Sequence, residues 1–157
     1  MARSSKHKLA YVLATWFGCG RVPLAPGTAG TLGAVPLYLL LRPAGPAAVG
    51  LAALVLTAVG VWAASVVVAD SGKKDPQQVV IDEVAGVLVT FTAASPNWQG
   101  TCAGIVLFRI FDQFKPWPAR DFERKLRGGW GVVMDDIAAG LWGALVLTLL
   151  TRLGILP

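Results

Sequence analysis

Five of the nine acidic residues in the chain form three clusters, each at a junction between apolar and polar sequence. The clusters are Asp82 with Glu83, Asp112 alone, and Asp135 with Asp136. Carboxylates in or beside an apolar segment are costly and repel one another unless a cation or another partner neutralises them. Oxygen ligands without histidine or cysteine favour magnesium or manganese over zinc. We therefore predict that these five acids meet around Mg²⁺ or Mn²⁺ and include both the metal ligands and the catalytic carboxylates.

The sequence leaves open which of the five acids hold the metal. Adjacent residues on a helix point about 100° apart, so the two members of a pair should not ligate one ion equally. One member of each pair can instead support a ligand or act as a general base. In a purely structural alternative, each acid caps a helix or pairs with a lysine. That alternative explains a single cluster more readily than three clusters together.

The region between the second and third clusters supplies groups that suit a phosphate. We predict four phosphate-binding residues, because lysine and arginine form charge-assisted hydrogen bonds with phosphate oxygens. They are Arg109 and Lys115, supported by Lys125 and Arg127. Residues 128–131 include three glycines, whose backbone N–H groups could fold over a phosphate. The alternative is that the whole stretch is a solvated basic loop lying on lipid headgroups.

The composition indicates a membrane protein. Hydrophobic residues make up 55% of the 157 residues and charged residues 15%, with a mean hydropathy of +0.61. A soluble domain has about a quarter charged residues. The length suits one domain over residues 1–157. The net charge of +5 indicates attraction to anionic lipid, and no basic helix typical of nucleic-acid binding is present.

Hydrophobic periodicity predicts an all-α integral membrane bundle with short or broken membrane helices. Residues 9–17 have the spacing of an amphipathic helix, which we place at the membrane interface rather than in a cleaved signal peptide. Prolines and glycines among residues 23–30 predict irregular backbone beside protein or a polar cavity, then a short helix over about residues 28–41. Further apolar segments cover residues 44–69, 79–94, 101–114 and 137–151, and residues 95–100 form a turn.

Charge asymmetry predicts the orientation of this bundle. When the apolar segments cross alternately, twelve of the fourteen Lys and Arg residues fall on one side, which the positive-inside rule makes cytoplasmic. All nine acids fall on that side as well. Surface decoration would scatter acids over both faces, whereas one metal site would collect them. We therefore predict a polar active site on the cytoplasmic side.

Four motifs resemble those of the phosphatidylglycerophosphatase A family of bacterial membrane lipid phosphatases, and they occur in the family's order. They are PLAPGTAGTLGAVP (23–36), VVIDEVAGVLVT (79–90), FRIFDQFKPWPAR (108–120) and GGWGVVMDDIAAG (128–140). The resemblance implies Mg²⁺-dependent hydrolysis of phosphatidylglycerophosphate to phosphatidylglycerol and inorganic phosphate, in the bacterial inner membrane. It also implies that the site includes Asp82, Glu83, Arg109, Asp112, Lys115, Asp135 and Asp136.

For the mechanism we prefer attack by a metal-activated water, because no Ser, Thr or Cys adjoins a plausible base. An aspartyl-phosphate intermediate is the alternative. Two other functions were weighed. A CDP-alcohol phosphotransferase shares an Ala-Arg pair, here Ala119-Arg120, but its preceding Asp-Gly and final spaced aspartates are missing. A small cation carrier could use intramembrane acids and broken helices, but it needs polar groups that continue to the far side.

Overall fold

The computed structural model describes residues 5–93 and 97–157, and these residues form seven α-helices and no strands. The helices are α1 Ser5–Ala14, α2 Pro26–Leu41, α3 Pro46–Ser71, α4 Ile81–Phe91, α5 Trp98–Phe114, α6 Ala119–Lys125 and α7 Gly129–Arg152. Short 3₁₀ turns precede and follow α2. The predicted all-α class is confirmed. The predicted turn over residues 95–100 lies partly outside the described residues, and Asn97 caps the start of α5.

Two of the described helices, α3 and α7, are long and apolar enough to cross a membrane by length and composition. At about 1.5 Å per residue, α2 spans roughly 24 Å and α5 roughly 26 Å, against about 30 Å of hydrocarbon. The shortest helix among the five predicted apolar segments is α4, with 11 residues and a length of about 16 Å. The predicted short helices therefore correspond to α2, α4 and α5, while α3 and α7 are the two described helices long enough to cross.

Helix α4 is the central element of the bundle. Nine of its eleven residues are buried, including Val84, Val87 and Leu88 with no exposed surface. It packs against α7, α3, α2 and α5. A helix that is apolar all round belongs in a protein core. The apolar run over residues 79–94 therefore predicted a helix correctly, and the structure surrounds this helix with α2, α3, α5 and α7.

Helices α4 and α7 approach each other at two glycines. A Cβ on Gly86 would lie 2.6 Å from the Asp136 carbonyl oxygen, and a Cβ on Gly140 would collide with the Gly86 carbonyl oxygen. The Thr90 hydroxyl also donates a hydrogen bond to the Gly140 carbonyl oxygen at 3.1 Å. Small residues let two helix backbones come this close. The packing role predicted for these glycines is confirmed, and it brings the start of α4 beside the acids of α7.

Helix α2 begins earlier than predicted. It starts at Pro26, two residues before residue 28, and contains both Gly27 and Gly30. Proline is well suited to the first helical position, where its missing N–H has no intrahelical partner. The glycines are tolerated inside the helix because neighbouring residues leave no room for side chains: a Cβ on Gly30 would lie 2.7 Å from the Cβ of Val80. Residues 22–25 are irregular, as predicted.

Helix α1 ends at Ala14, before the predicted limit at residue 17. Trp16 and Phe17 have positive φ angles of 45° and 55° and lie in a turn. The buried face of α1 consists of Ala10 and Ala14, which pack with α3, while Leu9 is exposed. Of the other apolar residues in this stretch, Leu13 and Trp16 pack against the core, while Val12 and Phe17 are exposed. Placement of α1 at a membrane interface stays a prediction.

Helix α7 begins at Gly129, eight residues before the predicted crossing at residue 137. The glycines of residues 128–131 are therefore the start of a helix, and the alternative of a phosphate-binding glycine loop is wrong. The Gly129 N–H donates a hydrogen bond to the Ser65 hydroxyl at 3.1 Å, and a Cβ on Gly129 would collide with the Val61 carbonyl oxygen. Close packing on α3 explains Gly129, and close packing on Leu126 explains Gly131.

Candidate active site

All five predicted acids line one polar pocket of about 250 Å³. Asp82 and Glu83 come from the first turn of α4, Asp112 from the last turn of α5, and Asp135 and Asp136 from the second turn of α7. Arg109 and Lys115 line the same pocket. The predicted convergence of distant acidic clusters is therefore observed. The roles of the individual residues stay predictions.

Three of these acids form the acidic trio, namely Asp82, Glu83 and Asp136. Each offers a carboxylate oxygen that lies within 4.8 Å of those of the other two. Asp82 and Asp136 are only 6% and 5% exposed. Among the described residues, no Lys or Arg forms an ion pair with any of the three. Three clustered carboxylates without a cationic partner are unfavourable unless a cation binds between them.

The two pairs of adjacent acids are arranged differently. Asp135 and Asp136 diverge: Asp136 joins the trio while Asp135 contacts Lys115. Asp82 and Glu83 each contribute a carboxylate oxygen to the trio. The Glu83 N–H also donates a hydrogen bond to Asp82 Oδ1 at 3.1 Å.

Beside the trio, Asp112 and Asp135 of the pocket are paired with cations. Lys115 Nζ lies 2.7 Å from Asp135 Oδ2 and 3.1 Å from Glu123 Oε1. Arg109 Nη1 lies 2.8 Å from Asp112 Oδ2. We call these five residues the paired cluster. Its cations are held by carboxylates on α5, α6 and α7, so their positions are fixed before any ligand arrives.

Lys115 keeps its positive charge throughout any practical pH range. Partial burial of Lys115 lowers the pKa of its ammonium group, but hydrogen bonds and charges from Asp135 and Glu123 outweigh burial and leave the pKa above its usual value. Its backbone is in the left-handed region, with φ of 45°, at the end of α5. The short loop after it brings α6, and with it Glu123, back to this lysine.

Lys125 and Arg127 are not among the residues that line the pocket. Lys125 is exposed at the end of α6, and its Nζ lies 2.7 Å from Asp121 Oδ2. Arg127 is exposed in the link between α6 and α7. The structure therefore separates the four predicted phosphate ligands into two that line the pocket and two that lie outside it.

The start of α2 closes one side of the pocket. Pro26 and Gly27 line it, as expected for the PLAPG segment. A Cβ on Gly27 would collide with Glu83 Oε1 and lie 3.3 Å from Arg109 Nη1. A side chain at residue 27 would therefore have to displace the Glu83 carboxylate from its position in the trio. The sequence placed this segment beside a polar cavity without showing which acid it would contact.

Sequence reasoning missed two further residues of the site. Glu123 holds Lys115 from α6, although it was not chosen among the acids near the cations. Asp75, in the loop before α4, is exposed overall and lines the pocket; loss of water around its carboxyl raises the pKa of Asp75, while Lys115 lowers it. In the sequence, Glu123 and Asp75 are distinguished only by lying in charged segments next to the other site residues. The sequence does not show which residues of such segments turn toward the pocket.

The donor set fits a hard divalent cation such as Mg²⁺. Every ligand candidate in the trio is a carboxylate oxygen, which is the chemistry that Mg²⁺ prefers. Glu83 Oε2, in the trio, is buried and has no hydrogen-bond partner among the described residues, and the same holds for Asp135 Oδ1 nearby. Buried polar atoms are normally satisfied, so these two oxygens indicate a missing partner.

Comparison with known proteins agrees with the site. The sequence model of the family described as phosphatidylglycerophosphatase A matches residues 12–151. The phosphatidylglycerophosphatase A of Escherichia coli (strain K12) is 38% identical over 138 residues, covering 87% of this chain and 80% of the relative. The protein of that name from Haemophilus influenzae is 34% identical over 139 residues, covering 87% and 85%.

A third relative has a different name. A protein of Bacteroides thetaiotaomicron with the provisional name phosphatidylinositol-3-phosphatase is 40% identical over 149 residues, covering 88% of this chain and 91% of the relative. No solved structure is significantly similar to the chain. The family match extends from α1 to the last turn of α7 and includes every acid of the pocket, which confirms the resemblance found in the four motifs. The chain belongs to the phosphatidylglycerophosphatase A family.

Proposed function

We propose that this chain hydrolyses the terminal phosphomonoester of phosphatidylglycerophosphate, with Mg²⁺ as cofactor, at the cytoplasmic face of the bacterial inner membrane. The observation that supports this most directly is the single pocket in which six carboxylates meet two cations at one end of the helical bundle. Family membership supports the reaction and its lipid substrate. The residue roles below rest on the geometry of the pocket.

The acidic trio is the part of the pocket best suited to hold Mg²⁺. Asp82, Glu83 and Asp136 supply oxygen donors from α4 and α7, and the glycine contacts between these helices fix their spacing. When bound, the ion would stabilise negative charge on the phosphoryl oxygens and lower the pKa of a water molecule. Gly27 keeps the backbone of α2 close to Glu83, so this carboxylate has little freedom to turn away.

Arg109 and Lys115 are placed to bind the phosphate and to stabilise the charge that develops during its transfer. Both are held in advance, Arg109 by Asp112 and Lys115 by Asp135 and Glu123. Cations that are already oriented need no reorganisation at the moment of reaction, and one such group typically contributes about 10²–10³ in rate. Lys125 and Arg127, outside the pocket, would act only by attracting the anionic headgroup.

Asp135 is the carboxylate we assign as general base. Its Oδ2 is engaged by Lys115, while its buried Oδ1 is without a hydrogen-bond partner among the described residues. In the reaction, the oxygen of water forms a new bond to phosphorus while Asp135 takes the proton. The ester P–O bond breaks, and the glycerol oxygen of phosphatidylglycerol receives that proton. Trapping a phosphorylated aspartate during turnover would replace this scheme with covalent catalysis.

The distribution of charge supports the cytoplasmic placement. All nine acids lie at one end of the bundle: the end of α3, the loop after it, the start of α4, the end of α5, α6 and the start of α7. The other end of the described chain has Arg42 and Arg152 but no acid. The same distribution speaks against a cation carrier, which would need polar groups along the whole path.

The test is a phosphate-release assay on purified protein in mixed micelles, with phosphatidylglycerophosphate and phosphatidylinositol 3-phosphate as alternative substrates. We expect release from the first lipid with Mg²⁺, loss of release with EDTA, and much slower release from the second. Faster hydrolysis of the inositol lipid would transfer the proposal to that substrate. Production of CMP from a CDP-linked lipid, without phosphate release, would favour the phosphotransferase alternative.

A further inference from the structure

A second polar cavity, which we call the outer cavity, adjoins the polar pocket. Its volume is about 380 Å³. It lies between the link that precedes α2 and the loop that joins α3 to α4, and its walls include Pro23 from the first and Lys73 from the second. Pro26 and Gln77 line both cavities, so the two spaces meet at these residues. Gln77 is exposed, so its side chain can move without disturbing the core.

The backbone around the outer cavity is held by contacts between its two sides. A Cβ on Gly20 would collide with the Gln78 carbonyl oxygen, so the turn after α1 packs directly on the loop before α4. At the end of this loop, the Val80 N–H donates a hydrogen bond to the Ala14 carbonyl oxygen at 2.8 Å. The outer cavity is therefore bounded by segments whose relative position the fold fixes.

The side chains that line the outer cavity suit an anion. Lys73 is exposed, and no carboxylate in the described part of the chain forms an ion pair with it. Ser71, Gln77 and Gln78 add hydroxyl and amide donors. None of the described residues that line the cavity is acidic. A lysine beside neutral hydrogen-bond donors, without a competing carboxylate, can bind a phosphate oxygen.

A smaller cavity on another side of the polar pocket has the opposite character. Its volume is about 50 Å³, and its walls include Asp75, Glu123 and Asp135. Lys74 also lines this cavity, but three carboxylates outnumber the one cation. A second phosphate would have little room there and would be repelled. Of these two spaces beside the polar pocket, the outer cavity is therefore the one that suits an anion.

The proposed substrate has a second phosphate that must lie near the first. In phosphatidylglycerophosphate, the three carbon atoms of one glycerol separate the terminal phosphomonoester from the inner phosphodiester, which is joined to the diacylglycerol. With the terminal phosphate at Arg109 and Lys115, the inner phosphate must occupy a space that adjoins the polar pocket. Val22 in the wall of the outer cavity is 42% exposed, and nearby Leu24 is 85% exposed. Apolar surface is therefore available on this side for the lipid's diacylglycerol.

We propose that the outer cavity binds the inner phosphodiester of the lipid substrate and that Lys73 recognises its charge. The inference rests on the proposed function and adds to it the group by which the site distinguishes a lipid with two phosphates from one with a single terminal phosphate. The inner phosphate does not react, so Lys73 binds it equally in the substrate and in the transition state. Loss of Lys73 should therefore raise KM without lowering kcat.

The first test measures KM and kcat for phosphatidylglycerophosphate in mixed micelles. Lys73→Gln removes the charge, Lys73→Arg keeps it, and Lys74→Gln is the matched control. Lys74 is the next residue, is also exposed and has the same charge, but it lines the smaller cavity. We expect Lys73→Gln to raise KM about tenfold, the usual effect of losing one hydrogen bond to a charged group. Lys73→Arg and Lys74→Gln should keep KM within about twofold.

Phosphatidic acid separates recognition of the inner phosphate from general attraction of anionic lipids. It has acyl chains and a terminal phosphate but no phosphodiester. We expect its Ki, measured as a competitor of phosphatidylglycerophosphate hydrolysis, to be the same for Lys73→Gln and for the unaltered protein. An equal loss of affinity for both lipids, or an equal effect of Lys73→Gln and Lys74→Gln, would show that the loop only attracts anionic surfaces. Either result would overturn the inference.

A substrate analogue tests the contact itself. In this analogue, an uncharged methylphosphonate replaces the inner phosphodiester and the terminal phosphate is kept. The unaltered protein should bind it with a KM raised about as much as Lys73→Gln raises KM for the natural lipid. Combining the variant with the analogue should add little further, because both changes remove the same contact. Fully additive effects would place Lys73 away from the inner phosphate.

Failure of the inference is distinguishable from failure of the proposed function. If Lys73→Gln has the normal KM for phosphatidylglycerophosphate, the outer cavity does not bind the inner phosphate, yet release of phosphate still supports the proposed function. If the unaltered protein releases no phosphate from this lipid, the proposed function itself fails and the inference fails with it.

Discussion

The two halves of the polar pocket contain similar carboxylates in opposite electrostatic situations. In the acidic trio, three carboxylates approach within 4.8 Å and none forms an ion pair with a described Lys or Arg. In the paired cluster, each cation is held by at least one acid, as in the 2.7 Å contact between Lys115 and Asp135. The acidic trio contains no positive charge, whereas the two cations of the paired cluster nearly balance the charge of its three acids. A metal ion would complete the trio, and a phosphate would bind where the cations of the cluster meet that ion.

The largest expected effect comes from removing a ligand of the trio. Asp136→Asn should reduce kcat roughly a thousandfold, because a bound metal contributes several kcal/mol of transition-state stabilisation. It should also weaken Mn²⁺ binding, measured by electron paramagnetic resonance of the detergent-purified protein. Asp121→Asn is the matched control, since Asp121 on α6 pairs with Lys125 outside the pocket. Unchanged Mn²⁺ affinity in Asp136→Asn would show that the trio does not hold the ion.

Removing a cation of the paired cluster should lower the reaction rate without changing the affinity for the metal. Lys115→Gln should lower kcat about a hundredfold, the usual effect of losing one oriented charge at a developing oxyanion. Mn²⁺ affinity should stay within about twofold, and the same assay on Lys125→Gln should show nearly normal turnover. If Lys115→Gln abolishes metal binding as completely as Asp136→Asn does, the division of the pocket into two halves is wrong.

Changing Gly27 at the start of α2 should weaken metal binding less than removing a carboxylate of the trio does. Gly27→Ala places a Cβ against Glu83 Oε1, so this carboxylate must move away from the trio. We expect Mn²⁺ affinity to fall about tenfold, in the range typical of losing a residue that orients a metal ligand. Ala29→Gly is a control two residues along the same helix. Normal Mn²⁺ affinity in Gly27→Ala would show that Glu83 is free to adjust without loss of binding.

The smallest expected effect is that of Glu123→Gln. Lys115 keeps its contact with Asp135, and the Glu123 side chain is 43% exposed, so the lost ion pair is weak. We expect kcat to fall about threefold, measured with saturating lipid and Mg²⁺. A loss as large as that of Lys115→Gln would mean that Glu123, and not Asp135, positions the lysine.

The sequence predicted the membership of the site better than its internal arrangement. The three acidic clusters could be predicted to meet because acids beside apolar segments are costly unless they share a partner. The structure brings them together in one pocket. The division into two halves is not visible, because it depends on the rotation of α7, which turns Asp135 toward Lys115 and Asp136 toward Asp82. The same holds for Glu123, since α6 is too short for its orientation to be derived from periodicity.

For the fold, length and periodicity identified the helices but not their surroundings. The run over residues 79–94 is as apolar as a lipid-facing segment, yet it forms the buried α4. Composition alone cannot distinguish a helix surrounded by lipid from one surrounded by protein, because both environments are apolar. The start of α7 was missed for a related reason: glycines that allow close helix packing also resemble a flexible loop.

The glycine crossing of α4 and α7 has a consequence for engineering this enzyme. Gly86 and Gly140 hold the two backbones in direct contact, and the helices so joined bear Asp82, Glu83 and Asp136. A larger residue at either glycine would spread the helices and enlarge the ion cavity in the same movement. We therefore expect thermal stability and the proposed metal binding to depend on the same two glycines, so a search for more stable variants should leave both unchanged.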